Sequence, residues 1–189
     1  MSASVGITLY PGDAGDIDSL MKNADQAMYV AKRQGRNRFC YFTPSLQESA
    51  QTRLRLSTDL REALQGKQFT LHFQPIVELA SGRIRKAEAL LRWQHPVRGL
   101  VNPMEFIPLA EETGLIHAIG DWTFEESARW MKKWSTQFGE DFRMSVNLSP
   151  AQFRSDGRLH AQTWLRHFQE LGLPCKQLVL EITEGLLLN

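Results

Sequence analysis

The chain has 189 residues, 42% of them hydrophobic and 23% charged, with a net charge of +1. That length allows one domain or slightly more, and the near-neutral charge supplies no overall basic field for nucleic acid or an anionic membrane. No apolar run approaches the roughly 20 residues that span a bilayer. The opening Met1–Gly6 lacks the basic and apolar regions of a signal peptide, and two distant cysteines, Cys40 and Cys175, suit a reducing cytoplasm.

Ser4 to Tyr10 reads as a short strand, followed by turn chemistry at Pro11-Gly12-Asp13-Ala14-Gly15-Asp16. A helix is expected from Ile17 to Gln34, with Asp16 as N-cap, Gly35 past its end, and Leu20, Ala24, Ala27, Met28 and Ala31 on one apolar face. Arg38 to Phe42 reads as a second strand. Thr43-Pro44-Ser45 breaks the chain, and a connecting helix follows from Leu46 to Gln65, its apolar positions being Leu46, Ala50, Leu54, Leu56, Leu60 and Leu64.

From Phe69 the pattern changes. Phe69–Val77 and Ile84–Trp93 read as strands, and the short connection through Ser81-Gly82 makes them antiparallel, because a parallel pair needs a crossover of a dozen residues or more. Helices are expected at Pro103–Glu112 and Ile116–Gln137, a strand at Phe142–Leu148, a helix at Leu159–Leu171 and a strand at Gln177–Thr183. Alternating strands and helices indicate a parallel α/β sheet or barrel. A (β/α)8 barrel takes around 250 residues and this region offers about 120, so the expectation is a partial barrel that does not close. Its open edges and uncovered apolar faces would make the isolated chain unstable or self-associating.

Lys86-Ala87-Glu88-Ala89-Leu90-Leu91-Arg92-Trp93 sets charges into an apolar run. On a strand, Glu88, Leu90 and Arg92 face the same way, and buried charges need a partner, a metal or a ligand. Asn147 and Glu181 stand near the ends of later strands, where barrel folds place their catalytic groups. Two carboxylates and an amide oxygen are hard donors suited to Mg²⁺ or Mn²⁺. Structural readings stay open beside this one. Glu88 can pair with Arg92 or Lys86, and Asn147 can simply turn the chain. Ser149-Pro150-Ala151-Gln152 has the form of a capping box with proline at the first helical position, and Glu184 suits a first helical turn. Gln74 is a strand-end amide, the five tryptophans read as packing residues, and the five histidines show no zinc-ligand spacing.

Taken in order, Phe73-Gln74-Pro75-Ile76, Glu88-Ala89-Leu90-Leu91-Arg92-Trp93, Phe106-Ile107-Pro108-Leu109-Ala110-Glu111, Val146-Asn147-Leu148-Ser149 and Leu180-Glu181-Ile182-Thr183-Glu184 resemble an EAL domain. Members of that family are bacterial phosphodiesterases that linearise cyclic di-GMP to pGpG with Mg²⁺ or Mn²⁺ on a modified (β/α)8 barrel with one antiparallel strand. Ser4-Val5-Gly6-Ile7 and Asn23 to Arg38 resemble the tail of a GGDEF domain, the diguanylate cyclase fold.

The resemblance implies a remnant of a GGDEF domain at 1–43, a connecting helix at 44–66 and the N-terminal half of an EAL domain at 67–189. It implies Glu88, Asn147 and Glu181 as metal ligands, with Glu88 and Glu181 catalytic. Gln74 and Arg92 would contact the dinucleotide, Lys32 and Arg36 nucleotide phosphates, and Glu184 would brace the loop beyond its strand. Relative to the tandem arrangement the chain reads as shortened at both ends. It lacks the GGDEF signature loop and the Asp-Asp-Phe-Gly segment that would complete the metal site. The expectation is therefore a fragment of a cyclic di-GMP phosphodiesterase that is inactive alone, the alternative being a non-catalytic cyclic di-GMP-binding or protein-interaction remnant. Its setting would be the cytoplasm, with a longer relative tethered to a membrane by further N-terminal segments. Its partners would be cyclic di-GMP and a second copy or an intact EAL relative, with no nucleic-acid polymer.

Overall fold

Polar capping and turn residues open most helices here, and small residues mark where helix meets strand. The computed structural model describes residues 2–139 and 141–182, and for 153–161 the backbone alone. The chain divides into two compact units between Thr58 and Asp59.

In the first unit, β1 (Ser4–Ile7) and β2 (Arg38–Tyr41) pair in parallel, Ser4 opposite Arg38 and Ile7 opposite Tyr41. Parallel neighbours need a crossover, and α1 (Ile17–Arg33) supplies it. The Asp16 carboxylate caps α1 by accepting the Ser19 N–H at 2.8 Å. At the other end Gly35 takes φ +104°, and the Arg36 N–H closes back onto the Ala31 carbonyl at 3.1 Å. Ala27 and Ala31 are buried as expected. Asn23, absent from the expected apolar face, is buried too, its amide donating to the Asp13 carbonyl at 3.3 Å.

The connecting helix α2 runs Pro44–Gln65 and starts two residues before the expected Leu46. Pro44 therefore opens the helix instead of breaking the chain before it, since proline is tolerated in a first turn whose N–H groups have no helical partner. Its apolar stripe is buried at Leu56, Leu60 and Ala63, whereas Leu54 is 71% exposed.

The second unit is built on a five-stranded sheet. The strands β3 (Phe69–Val77) and β4 (Ile84–His95) form the antiparallel pair, with Phe69 opposite Trp93. Three residues missed by the strand pattern, β5 (Gly99–Val101), fold back antiparallel onto the end of β4. After α3 (Pro103–Thr113) and α4 (Ile116–Phe138), β6 (Arg143–Leu148) lies parallel to β4. After α5 (Pro150–Glu170), β7 (Leu178–Ile182) lies parallel to β6. The order is β3-β4-β6-β7, and among the described residues the sheet stays open. This is α/β architecture, a partial (β/α)8 barrel with one antiparallel strand. The helix α5 starts at Pro150, nine residues before the expected Leu159, because the capping box operates: the Ser149 N–H donates to the Gln152 side chain at 3.1 Å and the Ser149 hydroxyl accepts the Ala151 N–H.

The register assigns two faces to the sheet. Phe69, Leu71 and Phe73 of β3, Ala87 and Ala89 of β4, Met144, Val146 and Leu148 of β6, and Leu178 of β7 lie on the face covered by helices. Ala87 and Ala89 are small, which lets Phe124, Ala128 and Met131 of α4 close onto the sheet. Trp164 and Phe168 of α5 complete this core, Trp164 stacked on Phe124 with centroids 4.7 Å apart. Each large apolar side chain buried there contributes about 1.5–3 kcal/mol. The opposite face carries Gln74, Lys86, Glu88, Arg92, Ser145, Asn147 and Glu181, by the two-residue alternation of a strand.

Candidate functional site

The helix-covered face needs apolar residues at every second strand position, so the polar residues between them project together on the other. Gln74 stands directly opposite Glu88 in the antiparallel pair. Glu88 is in register with Ser145, and Asn147 with Glu181. Across β4 and β6 the Asn147 amide donates from Nδ2 to Glu88 Oε1 at 2.8 Å. Glu88 therefore bonds Asn147, while its two charged strand neighbours bond elsewhere. Arg92 donates from Nη1 to the Leu91 carbonyl at 2.8 Å, and Lys86 places its ammonium 2.8 Å from Glu181 Oε1. The Lys86 ammonium holds the Glu181 carboxyl below the usual carboxylate range.

Beside this row lies a cleft of about 270 Å³, with Arg92, Glu111, Gly120, Asn147, Ser149 and Gln152 among its lining residues. Its polar wall is set by contacts the strand pattern does not reveal. The Ser149 hydroxyl donates to Glu111 Oε1 of α3 at 2.6 Å, while Gln152 packs against Gly120 of α4 so closely that a Cβ on Gly120 would lie 1.8 Å from Gln152 Nε2. The turn that follows Asn147 is thus held by two helices. The sequence pattern assigns no site role to Glu111, Ser149 or Lys86, and the capping-box spacing at Ser149 is the local signal that marks this turn.

Of the remaining candidates, Lys32 lies in the last turn of α1 and Arg36 follows Gly35 with φ +57°, both exposed at the surface of the first unit. Glu184 lies outside the described residues.

Glu88, Asn147 and Glu181 present carboxylate and amide oxygens from three adjacent strands, a donor chemistry that fits Mg²⁺ or Mn²⁺. Among the described residues no cluster of three His, Cys, Asp or Glu gathers, so the set consists of two carboxylates and one amide. Zinc, which favours nitrogen and sulfur, is poorly matched to it.

A partial α/β barrel with oxygen donors along its uncovered face defines the class. The EAL domain family model matches residues 57–189, and the chain belongs to that family. The model for the diguanylate cyclase GGDEF domain matches residues 1–38. A bifunctional diguanylate cyclase/cyclic di-GMP phosphodiesterase from Pseudomonas aeruginosa, MucR, is 47% identical over 187 residues, covering 98% of this chain and 27% of its own length. The cyclic di-GMP phosphodiesterase PdeR of Escherichia coli is 39% identical, over 100% of this chain and 28% of its own. Among solved structures, a PaMucR phosphodiesterase in complex with c-di-GMP superposes with a TM-score of 0.64 at 42% identity, covering 69% of this chain and 52% of that one. The chain thus spans about a quarter of the length of the curated relatives it matches.

Proposed function

We propose that residues 67–189 form part of a cyclic di-GMP phosphodiesterase site of the EAL type, producing pGpG, with residues 1–43 as a GGDEF remnant and 44–66 as the connector. In this reading Glu88, Asn147 and Glu181 hold a Mg²⁺ or Mn²⁺ ion. Gln74 and Arg92 contact the dinucleotide, Lys32 and Arg36 meet nucleotide phosphates, and Glu184 braces the loop beyond β7. The carrying observation is the 2.8 Å bond from Asn147 to Glu88 on a face shared with Glu181. It joins residues of two separate sequence motifs, and strand register sets Glu181 beside Asn147. When bound, a divalent ion there supplies Lewis-acid polarisation of a phosphodiester and a more acidic water. The protein's own groups orient it: Asn147 is bonded to Glu88 from the strand between the two carboxylates, and Arg92 offers a cation to phosphate.

Two carboxylates and an amide, each binding through one oxygen, leave half of an octahedral ion's positions to water. In this reading the ligand set is incomplete and the chain by itself has no appreciable turnover, with cyclic di-GMP binding without catalysis as the alternative. The test is cyclic di-GMP hydrolysis to pGpG, with Mg²⁺ or Mn²⁺, by this chain and by a longer chain that continues past Asn189. Turnover in the longer protein that survives Glu88→Ala would overturn the site assignment. A second reading, a non-catalytic interaction module, is favoured by the edge of β7: among the described residues it pairs with β6 alone, and Leu180 and Ile182 are 40% and 42% exposed. A second copy or an intact EAL relative would pair there, and a concentration-dependent mass in solution would support it.

A further inference from the structure

We propose that Lys86 is a resident counter-cation of this site, whose ammonium occupies Glu181 and sets how tightly a divalent ion is held. The inference rests on the metal reading above and deepens it.

The pairing of Lys86 with Glu181 is not a neighbour contact. Lys86 is in register with Arg143 on β6, whereas Glu181 on β7 is in register with Asn147. To reach Glu181 at 2.8 Å the Lys86 side chain crosses the whole of β6 on a diagonal. The residue it passes is Ser145, fully buried and small enough to leave that path open. Lysine suits the reach, with a long flexible stem ending in a point charge. The other carboxylate, Glu88, meets no cation in this row and takes the Asn147 amide instead. The site is therefore asymmetric: one carboxylate is neutralised by an internal cation, and one is merely hydrogen-bonded.

The side chains of Lys86 and Glu181 are 28% and 39% exposed. A pair so open adds little to folding, because exposed ion pairs are screened and entropically costly. Its effect on a second cation is larger. A divalent ion arriving at Glu88, Asn147 and Glu181 must displace the ammonium or bind beside it, and like charges a few ångströms apart repel strongly even in a screened medium. Position 86 thus tunes ion affinity without supplying a ligand.

The test is Mn²⁺ titration of the full 189-residue chain, with free Mn²⁺ read by its electron paramagnetic resonance signal. Folding is checked by circular dichroism, and Lys86→Gln is held as a second neutral variant should Lys86→Met fail to fold. Lys86→Met is expected to bind Mn²⁺ about tenfold more tightly than the unsubstituted chain, and Lys86→Arg, which keeps the charge, to stay near the unsubstituted value. In a Glu181→Gln background the gain from Lys86→Met should disappear. Binding seen only in Lys86→Met also supports the proposal. Equal or weaker binding by the neutral variants than by the unsubstituted chain overturns it and leaves the metal reading standing, as does equal tightening by Lys86→Arg. An absence of Mn²⁺ binding in every form overturns both.

Discussion

Asn147 donates to Glu88 at 2.8 Å although the two are not register partners: Glu88 lies opposite Ser145, and Asn147 opposite Glu181. The amide leans back along β6 toward β4 while its own register partner is the other carboxylate. One neutral side chain therefore stands between two acids and separates them without adding charge. That arrangement favours a cation over a third acid, and it makes the two carboxylates unequal in what they bond.

Glu88→Ala leaves the Asn147 amide without its acceptor and removes one of two carboxylates from the row. In a longer chain that hydrolyses cyclic di-GMP, metal-dependent turnover is expected to fall by about a hundredfold or more. Arg92→Ala, which removes no oxygen donor, is expected mainly to raise KM. Steady-state rates at several metal concentrations separate the two effects, and a Glu88→Ala protein with unchanged kcat would refute the assignment.

The turn after β6 gives a stability prediction. Ser149 caps α5 and donates to Glu111, so Ser149→Ala removes a cap and leaves a half-buried carboxylate oxygen without its donor. The expected loss is about 1–2 kcal/mol by urea unfolding. Glu111→Gln retains an oxygen acceptor for the Ser149 hydroxyl and should cost less than Glu111→Leu. Equal losses would show that the contact contributes nothing.

Two glycines answer differently to the same substitution. At Gly6 an added Cβ would sit 1.9 Å from the Ala24 carbonyl and 2.4 Å from the Met28 nitrogen, both backbone atoms of α1 that cannot move without shifting the helix. At Gly120 the obstruction is the end of the Gln152 side chain, which can swing away at the expense of its bond to the Ser149 N–H. Gly6→Ala is expected to cost about 3 kcal/mol and Gly120→Ala about 1 kcal/mol, measured by chemical denaturation. The reverse order would contradict the packing described.

Asp16 makes the first unit sensitive to acid. The Ser19 backbone N–H, and then the Ser19 side chain, hold the Asp16 carboxyl below its ordinary 3.8. A lowered folded value means that the cap's contribution is complete above the ordinary carboxylate range and is lost as pH falls through the lowered value. Helical circular dichroism followed from about pH 6 to pH 2 should show this loss. Asp16→Asn, which keeps an oxygen acceptor without the titrating charge, should flatten that part of the curve. An unchanged profile in Asp16→Asn would mean that other carboxylates control it.

Local signals made much of this fold legible, and their limits are equally local. The short connection at Ser81-Gly82 excluded a crossover, and β3 and β4 are antiparallel over the expected residues. The helix α5 starts well before its apolar periodicity, because its first turns are polar and contain Gly157, although the capping box at Ser149 marks the boundary. The three residues of β5 carry too short a pattern to read, and their strand state comes from pairing with Trp93, Gln94 and His95. In the site, Glu88, Asn147 and Gln74 stand out as polar residues on apolar strands. The Lys86–Glu181 pair does not, because it joins residues 95 apart through the stagger of three strands.

His95 shows how a residue set aside for metal binding can still hold the fold. It is buried, and its Nδ1 accepts the N–H groups of Val97 and Arg98, both at 3.1 Å. Two donors on one ring nitrogen place the ring proton on Nε2, which lies 3.1 Å from Asp59 Oδ2 on α2. One side chain therefore shapes the turn between β4 and β5 and ties that turn to the end of the connecting helix. His95→Ala strands two backbone donors and one carboxylate, and a loss of about 2–3 kcal/mol is expected. A double-mutant cycle with Asp59→Ala isolates the helix tie, with a coupling of about 1 kcal/mol expected from urea unfolding of the four proteins. Strict additivity would mean that Asp59 and His95 are merely adjacent.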